Sequence, residues 1–392
     1  MDKKENAKEL QLQHSQAKVE FYGEYLKRYL RILCNVDFIK QINIYDIFCG
    51  RGIYKDGKKG SAITAFDIIK NLRNDKNKVY KTPISLFFND IKTNYTDNIK
   101  EYIDKVKNCY CNVEYSNLDT EDIIKNILYK VSKTNNNTRN LIFIDPYGYK
   151  KISKDKLFNI MENGKTEIIL FLPISQIQRF SQKAMLEKAN QSEEAQKYIS
   201  LIEFIESFFD KNHDIRNKKV SQLEYIRHIS DALKLDGKYF VTSYYIYRRK
   251  NVGGESYFAL FFMSSKIKGF EKVLEVKWKL DEDNGQGFNK QEDQINMFEV
   301  QKKENIKEWH YKKLENILKY ELKKTKNNLE MYEIILRNEY LPKHANEIFK
   351  KWQYEKNKDF KVIDIDTKKE ARKNSFYLTD EHHKVNFTLE QK

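Results

Sequence analysis

Two short runs of this 392-residue chain carry residue types in an order that can do chemistry. Residues 44–52 read Ile-Tyr-Asp-Ile-Phe-Cys-Gly-Arg-Gly, and residues 141–149 read Leu-Ile-Phe-Ile-Asp-Pro-Tyr-Gly-Tyr. Each is an apolar stretch of strand length that ends in an acidic or glycine-bearing turn. Glycine after a buried strand lets the backbone come close to a bulky nucleoside, so Gly50 and Gly52, with Phe48 in the same turn, give room for an adenosine-bearing ligand. Asp46, near the strand's end, can order that loop or meet a charged amino group of the ligand through water. In the second run, Asp145, the carbonyl of Pro146 and the ring of Tyr147 could align the lone pair of an exocyclic amine and hold a planar base flat, flipped out if the substrate is duplex. A bare glycine turn and a Pro-Tyr-Gly loop are also ordinary loop chemistry. Placement after a buried strand is what separates them from it.

Further acidic residues recur at the ends of later strands. Asp90, after Phe87-Phe88-Asn89, can accept both ribose hydroxyls of an adenosine, and Asp119 could meet the adenine amino group. Either could instead cap the helix that follows, Asp119 especially, because Glu121-Asp122 comes next. His14 and Lys18 lie one turn apart on a leading helix, where they could close over the cofactor, contact phosphate or face solvent. Arg51 can reach substrate phosphate or solvent, and Arg179, with Gln176 and Gln178, can approach a base or backbone. The four cysteines, Cys34, Cys49, Cys109 and Cys111, are too few and too irregular for a disulfide scaffold or a zinc site, so no metal is expected. Without a Pro-Cys motif, attack on cytosine C5 is disfavoured. The clustered acids and lysine of a metal-dependent nuclease are missing too.

These residues need a frame. An amphipathic period over residues 9–33, with Leu12, Val19, Tyr22, Leu26, Tyr29, Leu30 and Leu33 as its apolar positions, predicts a leading helix. Strands at 42–48, 84–89, 111–115, 141–144 and 167–172 alternate with helices at 62–72, 95–106, 121–131 and 154–161, which calls for a parallel sheet covered on both faces. Beyond Pro173 the pattern predicts helices at 181–190, 198–209 and 222–233, then two aromatic strands at 239–247 and 257–263 joined by a loop holding Gly253-Gly254. Five parallel strands closed by an antiparallel hairpin make an α/β, Rossmann-like arrangement of the class I methyltransferase type.

A helix at 269–280 and a polar stretch at 281–294 follow. Helices at 306–324, 329–338 and 342–352 and short strands at 362–365 and 376–378 around the basic turn 368–373 predict a small winged-helix-like domain. The expected division is a leading segment 1–40, a main domain 41–288, a linker 289–305 and the C-terminal domain 306–392. In that last part Lys343, His344, Lys350, Lys351, Lys368, Lys369, Arg372 and Lys373 could straddle a nucleic-acid backbone. Interspersed Glu347, Glu355, Asp364 and Asp366 leave protein association open.

Lysine and arginine total 72 against 57 acidic residues, a formal charge of +15 that favours a polyanionic partner. An AT-rich genome would produce part of the same bias. There is no apolar leader and no run of the roughly 20 apolar residues a bilayer requires, so a soluble protein of the reducing cytoplasm with no membrane partner is expected.

Together these motifs resemble the three-Cys-motif partner family, whose pattern runs Asp-x-Phe-x-Gly-x-Gly, then Gly-Ser, then Asp-Pro-Tyr-Gly. Here the pattern stands at Asp46 to Gly52, Gly60-Ser61 and Asp145 to Gly148, and His14 and Lys18 match the family's His-x-x-x-Lys feature. The likeness covers residues 10–288, and the C-terminal part is similar to a winged-helix segment often attached in this family. It implies S-adenosylmethionine as cofactor, methyl transfer to a nucleobase in DNA or RNA, and a separately encoded partner bearing a cysteine triplet. The rival expectation is a component that binds nucleic acid without catalysis, in phage defence or repair. A single proline precedes Tyr147 where adenine and cytosine amino methyltransferases usually show two. The form is closer to the Asp-Pro-Phe-Gly turn of some guanine N2 methyltransferases, which leaves the target base open.

Overall fold

The structure is a computed structural model and describes residues 13–107, 109–146, 148–149, 151–249, 255–288, 297–355 and 359–390. These divide into two compact units, one within residues 1–269 and 287–290 and the other within 270–286 and 291–392. No helix among the described residues is long and apolar enough to cross a membrane.

The first unit begins with helix α1 (Gln13–Leu33), then strand β1 (Gln41–Asp46), α2 (Ser61–Arg73), β2 (Ile84–Asn89), α3 (Thr93–Lys105), β3 (Asn112–Ser116), α4 (Thr120–Ser132), β4 (Thr138–Ile144), α5 (Lys154–Met161) and β5 (Thr166–Leu172). After these come α6 (Ile174–Ala189), α7 (Ile199–Phe208), α8 (Gln222–Lys234), β6 (Phe240–Arg249), β7 (Glu255–Ser264) and α9 (Ile267–Leu280), which continues into the second unit. Strand β8 (Gly287–Phe288) completes an eight-stranded sheet of order β3-β2-β1-β4-β5-β7-β6-β8. The first five strands run parallel, while β7 is antiparallel to both β5 and β6. This is the Rossmann-like methyltransferase fold expected from the sequence. The short β8 adds a parallel edge beside β6 that the sequence reading left in a polar stretch.

Strand pleating assigns the two faces of the sheet. Tyr45, Ile47, Ile142, Ile144, Ile168, Leu170 and Leu172 point into a core closed by Ile123 and Ile127 of α4, Ile160 of α5, Ile177 of α6, Phe204 of α7 and Ile229 of α8. The alternate positions face α1. Its buried stripe is wider than the period predicted, adding Ala17, Phe21 and Tyr25 to Tyr22, Leu26, Tyr29 and Leu30. Aromatic contacts seat it: Tyr22 stacks on Phe143 of β4 at 4.5 Å, and Phe21 meets Tyr244 of β6 at 5.1 Å.

One boundary differs usefully. The helix expected at 181–190 starts at Ile174, with Pro173 at its N-cap, because Ile174, Ile177, Ser181 and Ala184 bury one continuous face. The expected hairpin turn, Gly253-Gly254, lies outside the described residues.

In the second unit α10 (Met297–Glu321) begins earlier than the expected 306. It is followed by β9 (Lys326–Asn327), α11 (Asn328–Arg337), α12 (Pro342–Tyr354), β10 (Asp359–Asp364) and β11 (Val385–Glu390). The strands form an antiparallel sheet of order β10-β11-β9. Phe349 of α12 stacks on Phe360 and Phe387, each at 5.2 Å, to make its core. The strand expected at 376–378 is a loop. Phe376 and Leu378 are buried with exposed Tyr377 between them, which imitates a strand's period, but Tyr377 has φ of +48°. The buried Asn328 side chain pins this loop by donating to the carbonyls of Tyr377 at 2.9 Å and His382 at 2.8 Å.

Candidate cofactor and substrate site at the strand tips

Strands β1 and β4 pair in parallel with Asp46 opposite Phe143, so the turns that leave them open beside each other. The chain moves outward to β2 and β3 on one side and to β5 on the other, which makes this the point where strand order reverses and ligands bind in open α/β sheets. Asp145 continues the register of Leu141 and Phe143 and lies toward the face that α1 covers.

Helix α1 therefore meets the site directly. Lys18, Tyr22 and Tyr25 follow one another down one helical face. The Lys18 ammonium forms an ion pair with Asp145 and lies 4.8 Å from the centre of the Phe171 ring, while the Tyr25 hydroxyl donates to Glu167 at 2.5 Å. Lys18 is buried and the Asp145 side chain is one-fifth exposed. His14 belongs to the same helix, but its side chain is outside the described residues.

Asp46 is wholly buried, and neither carboxylate oxygen has a well-formed hydrogen bond. The Ser61 hydroxyl and the Phe48 amide lie near enough to pull its carboxyl down without meeting hydrogen-bond geometry. Burial pushes its carboxyl up to about 7. The Asp145 charge adds to that rise, while Ser61 and Lys18 oppose it. A buried carboxylate without a well-formed hydrogen bond is costly unless a cation or donor reaches it.

The glycine turn follows. Gly50 and Gly52 both take left-handed φ, +61° and +75°. A Cβ on Gly52 would come within 2.6 Å of Ile99, whereas a Cβ on Gly50 would meet no atom within 4 Å. One glycine is demanded by packing and the other faces open space. Asp90 is buried at the tip of β2 and accepts from the Gly50 amide at 3.1 Å and the Lys92 amide at 3.0 Å, one bond to each oxygen. Burial raises its carboxyl, and those two amides pull it back. A carboxylate has about four acceptor positions, so two remain for ribose hydroxyls.

The other expected residues fall into place less uniformly. Phe48 is half-buried against the core beneath the turn. Asp119 caps α4, accepting from the amides of Glu121 at 2.8 Å and Asp122 at 2.9 Å, and its second oxygen takes Lys151 at 3.2 Å. The capping alternative describes its bonds. Pro146 is buried and its carbonyl already accepts from the Gly148 amide at 2.7 Å, and Gly148 itself takes a left-handed φ of +110°. Tyr147 lies outside the described residues. Arg51 rests on Tyr95, its Nη2 donating to the Tyr95 hydroxyl at 3.4 Å. Arg179 is exposed on α6, and Gln178 donates to the Val220 carbonyl at 2.9 Å, a structural bond and not a free reach toward a base.

Three contributors went unnoticed in the sequence. Asn89, buried between the tips, donates to the carbonyls of Ile47 at 3.2 Å and Leu118 at 3.1 Å and accepts from Ser116 and the Leu118 amide, so it ties β1, β2 and β3 together. Its signal was an amide side chain at the end of an otherwise apolar strand. Tyr54 lies in the field of Lys18, Asp145, Arg51 and Asp46, with burial as the main cause of its raised hydroxyl pKa. Tyr95 carries Arg51. Nothing in sequence spacing marks either tyrosine, because both contacts form across separate turns.

No family model and no curated protein matches the chain. Among solved structures it is similar to a putative methyltransferase, yhhF, from Escherichia coli, at 9% identity and TM-score 0.25 over 62% of this chain and 86% of that one. It is also similar to a protein from Legionella pneumophila, at 13% identity and TM-score 0.34 over 67% and 89% of the two chains. An rRNA methylase from Streptococcus thermophilus gives 8% identity and TM-score 0.26 over 60% and 94%. The fold is established by this chain's own strand order and not by these distant likenesses.

Proposed function

We propose that the chain is an S-adenosylmethionine-dependent methyltransferase acting on an exocyclic amine of a nucleobase in DNA or RNA, together with a separately encoded cysteine-triplet protein. One observation carries the reading: Asp46, buried and without a well-formed hydrogen bond, stands beside the Lys18–Asp145 pair of the neighbouring strand tip. The residues fit the cofactor. Asp46 would answer its ammonium, Gly50 would leave room for its bulk, and Asp90 would accept from its ribose. When bound, the cofactor supplies an electrophilic methyl group.

The remaining chemistry belongs to the chain. Asp145 accepts a hydrogen bond from the substrate amine, which turns the nitrogen lone pair toward the methyl carbon. As that nitrogen becomes positive, the carboxylate stabilises it and accepts the proton it gives up, passing it to water through the exposed fifth of the side chain. Lys18 holds the Asp145 carboxylate in one rotamer and is held in turn by the Phe171 ring. Among the described residues of the second unit, helices α10 to α12, which follow the end of α9, and a three-stranded antiparallel sheet support a winged-helix reading and a place for nucleic acid or the partner.

The same ion pair favours a second reading. Lys18 engages the carboxylate that the substrate amine would use, as it would in a component that binds nucleic acid without catalysis. Transfer of tritiated methyl to mixed DNA and RNA, with and without the co-expressed partner, decides between them. Counts that vanish in Asp145→Ala support the enzyme, and equal counts from both proteins remove it.

A further inference from the structure

Beside the glycine turn, two cations share one aromatic ring. Arg51 lies 5.5 Å and Lys92 5.0 Å from the centre of Tyr95, and both reach its hydroxyl, at 3.4 Å and 3.5 Å. Neither has a carboxylate ion-pair partner among the described residues. The carboxylate that feels the Lys92 charge, Asp90, takes its backbone amide and not its ammonium. Their neighbours differ: Lys59 is paired with Asp67 at 2.5 Å, and Lys58 with Asp56 at 3.3 Å. Two like charges gathered on one hydroxyl repel each other, and the tyrosine face offsets only part of that. Their complement is an anion with several acceptor oxygens.

We propose that Arg51, Lys92 and Tyr95 form a phosphodiester clamp that holds the backbone of the substrate nucleic acid at the rim of the cofactor cleft. The inference rests on the nucleic-acid reading above and extends it to Lys92 and Tyr95. Arg51 sits between the two glycines of the turn, and Asp90 joins the Gly50 and Lys92 amides, so the clamp and the cofactor cradle share a frame. Arginine supplies a planar fork and lysine a point charge, while the ring keeps both stems in place. Phosphate contacts of this type set affinity and register without reading sequence.

The test uses the full chain with fluorescein-labelled 20-nucleotide single strands of mixed sequence, one DNA and one RNA, titrated by fluorescence anisotropy across a salt series. Calorimetric binding of S-adenosylmethionine runs in parallel, and the circular-dichroism spectrum and thermal midpoint of each variant report that it is folded. Two lost phosphate contacts should lower the salt slope of Arg51→Met/Lys92→Met by about 1.4 and its low-salt affinity by about tenfold or more, with cofactor affinity unchanged. Exposed Lys92→Met alone should give about half the slope change, and Lys59→Met none. A wild-type slope in the double variant, or an equal loss in Lys59→Met, overturns the clamp. Lost cofactor affinity in folded Lys92→Met assigns the cations to the cofactor and also overturns it. A wild-type chain that binds S-adenosylmethionine but neither strand removes the nucleic-acid reading and the clamp together, and the strand that binds more tightly names the source of the phosphate.

Discussion

Lys18 and Asp145 stand 127 positions apart in the chain and meet as an ion pair across the face of the sheet, one on the leading helix and the other at the tip of β4. The helix thus supplies a side chain to the site it covers. Removing the ammonium by Lys18→Met should leave a half-buried carboxylate uncompensated, at a cost of about 1 to 3 kcal/mol in urea unfolding. If Lys18 orients Asp145, methyl transfer should also fall about tenfold to a hundredfold with little change in cofactor affinity. Faster transfer in Lys18→Met would show that the pair inhibits.

Asp46 predicts a pH dependence. Its carboxyl is raised from 3.8 to about 7, so the folded chain holds that proton more tightly than the unfolded one. The stability this gives is complete below about pH 4 and is lost as pH rises to about 7. Glu167, raised by burial from 4.5 to about 7, acts over the same window. The urea midpoint of the ligand-free protein should therefore fall between pH 5 and pH 7.5. Asp46→Asn should remove its share, on the order of 3 kcal/mol, and be the more stable protein at pH 8.

The two glycines of the turn should separate stability from binding. Gly52→Ala meets both a left-handed φ and the Ile99 side chain, and should cost about 3 kcal/mol or more by thermal unfolding. Gly50→Ala meets only the φ, so it should cost about 1 to 2 kcal/mol. Gly50→Val, which fills the open space, should weaken S-adenosylmethionine binding well beyond its effect on folding.

Asn89 is the knot among the three strand tips. Asn89→Leu leaves the Leu118 amide and the Ile47 carbonyl without their partner in a buried place, and should cost about 2 to 4 kcal/mol. Loss of cofactor binding in proportion to unfolding would mark its role as positional.

Much of this frame was legible because strands β1 to β5 are short apolar runs with turn residues at their ends, and period alone separates them from the amphipathic helices. The strand tips could be matched because Asp46 and Asp145 each end such a run. Contacts between turns were not legible. Asp90 bonding to Gly50, Arg51 resting on Tyr95, and Asn89 bridging three strands depend on how loops return in space, which no local spacing records. Asp119 shows the converse, since its neighbours Glu121 and Asp122 already spelled the helix cap that it forms. At 376–378 burial of alternate residues imitated a strand, while the actual strand lay at Val385–Glu390.

The most direct measurement is calorimetric titration of the full chain with S-adenosylmethionine below pH 7, in two buffers of different ionisation enthalpy. Binding at one site per chain, with proton release that disappears in Asp46→Asn and affinity that falls about tenfold or more in that variant, is the predicted result. No binding by the wild-type chain, or identical affinity and proton release in Asp46→Asn, would contradict the assignment of the cleft between β1 and β4 to that cofactor.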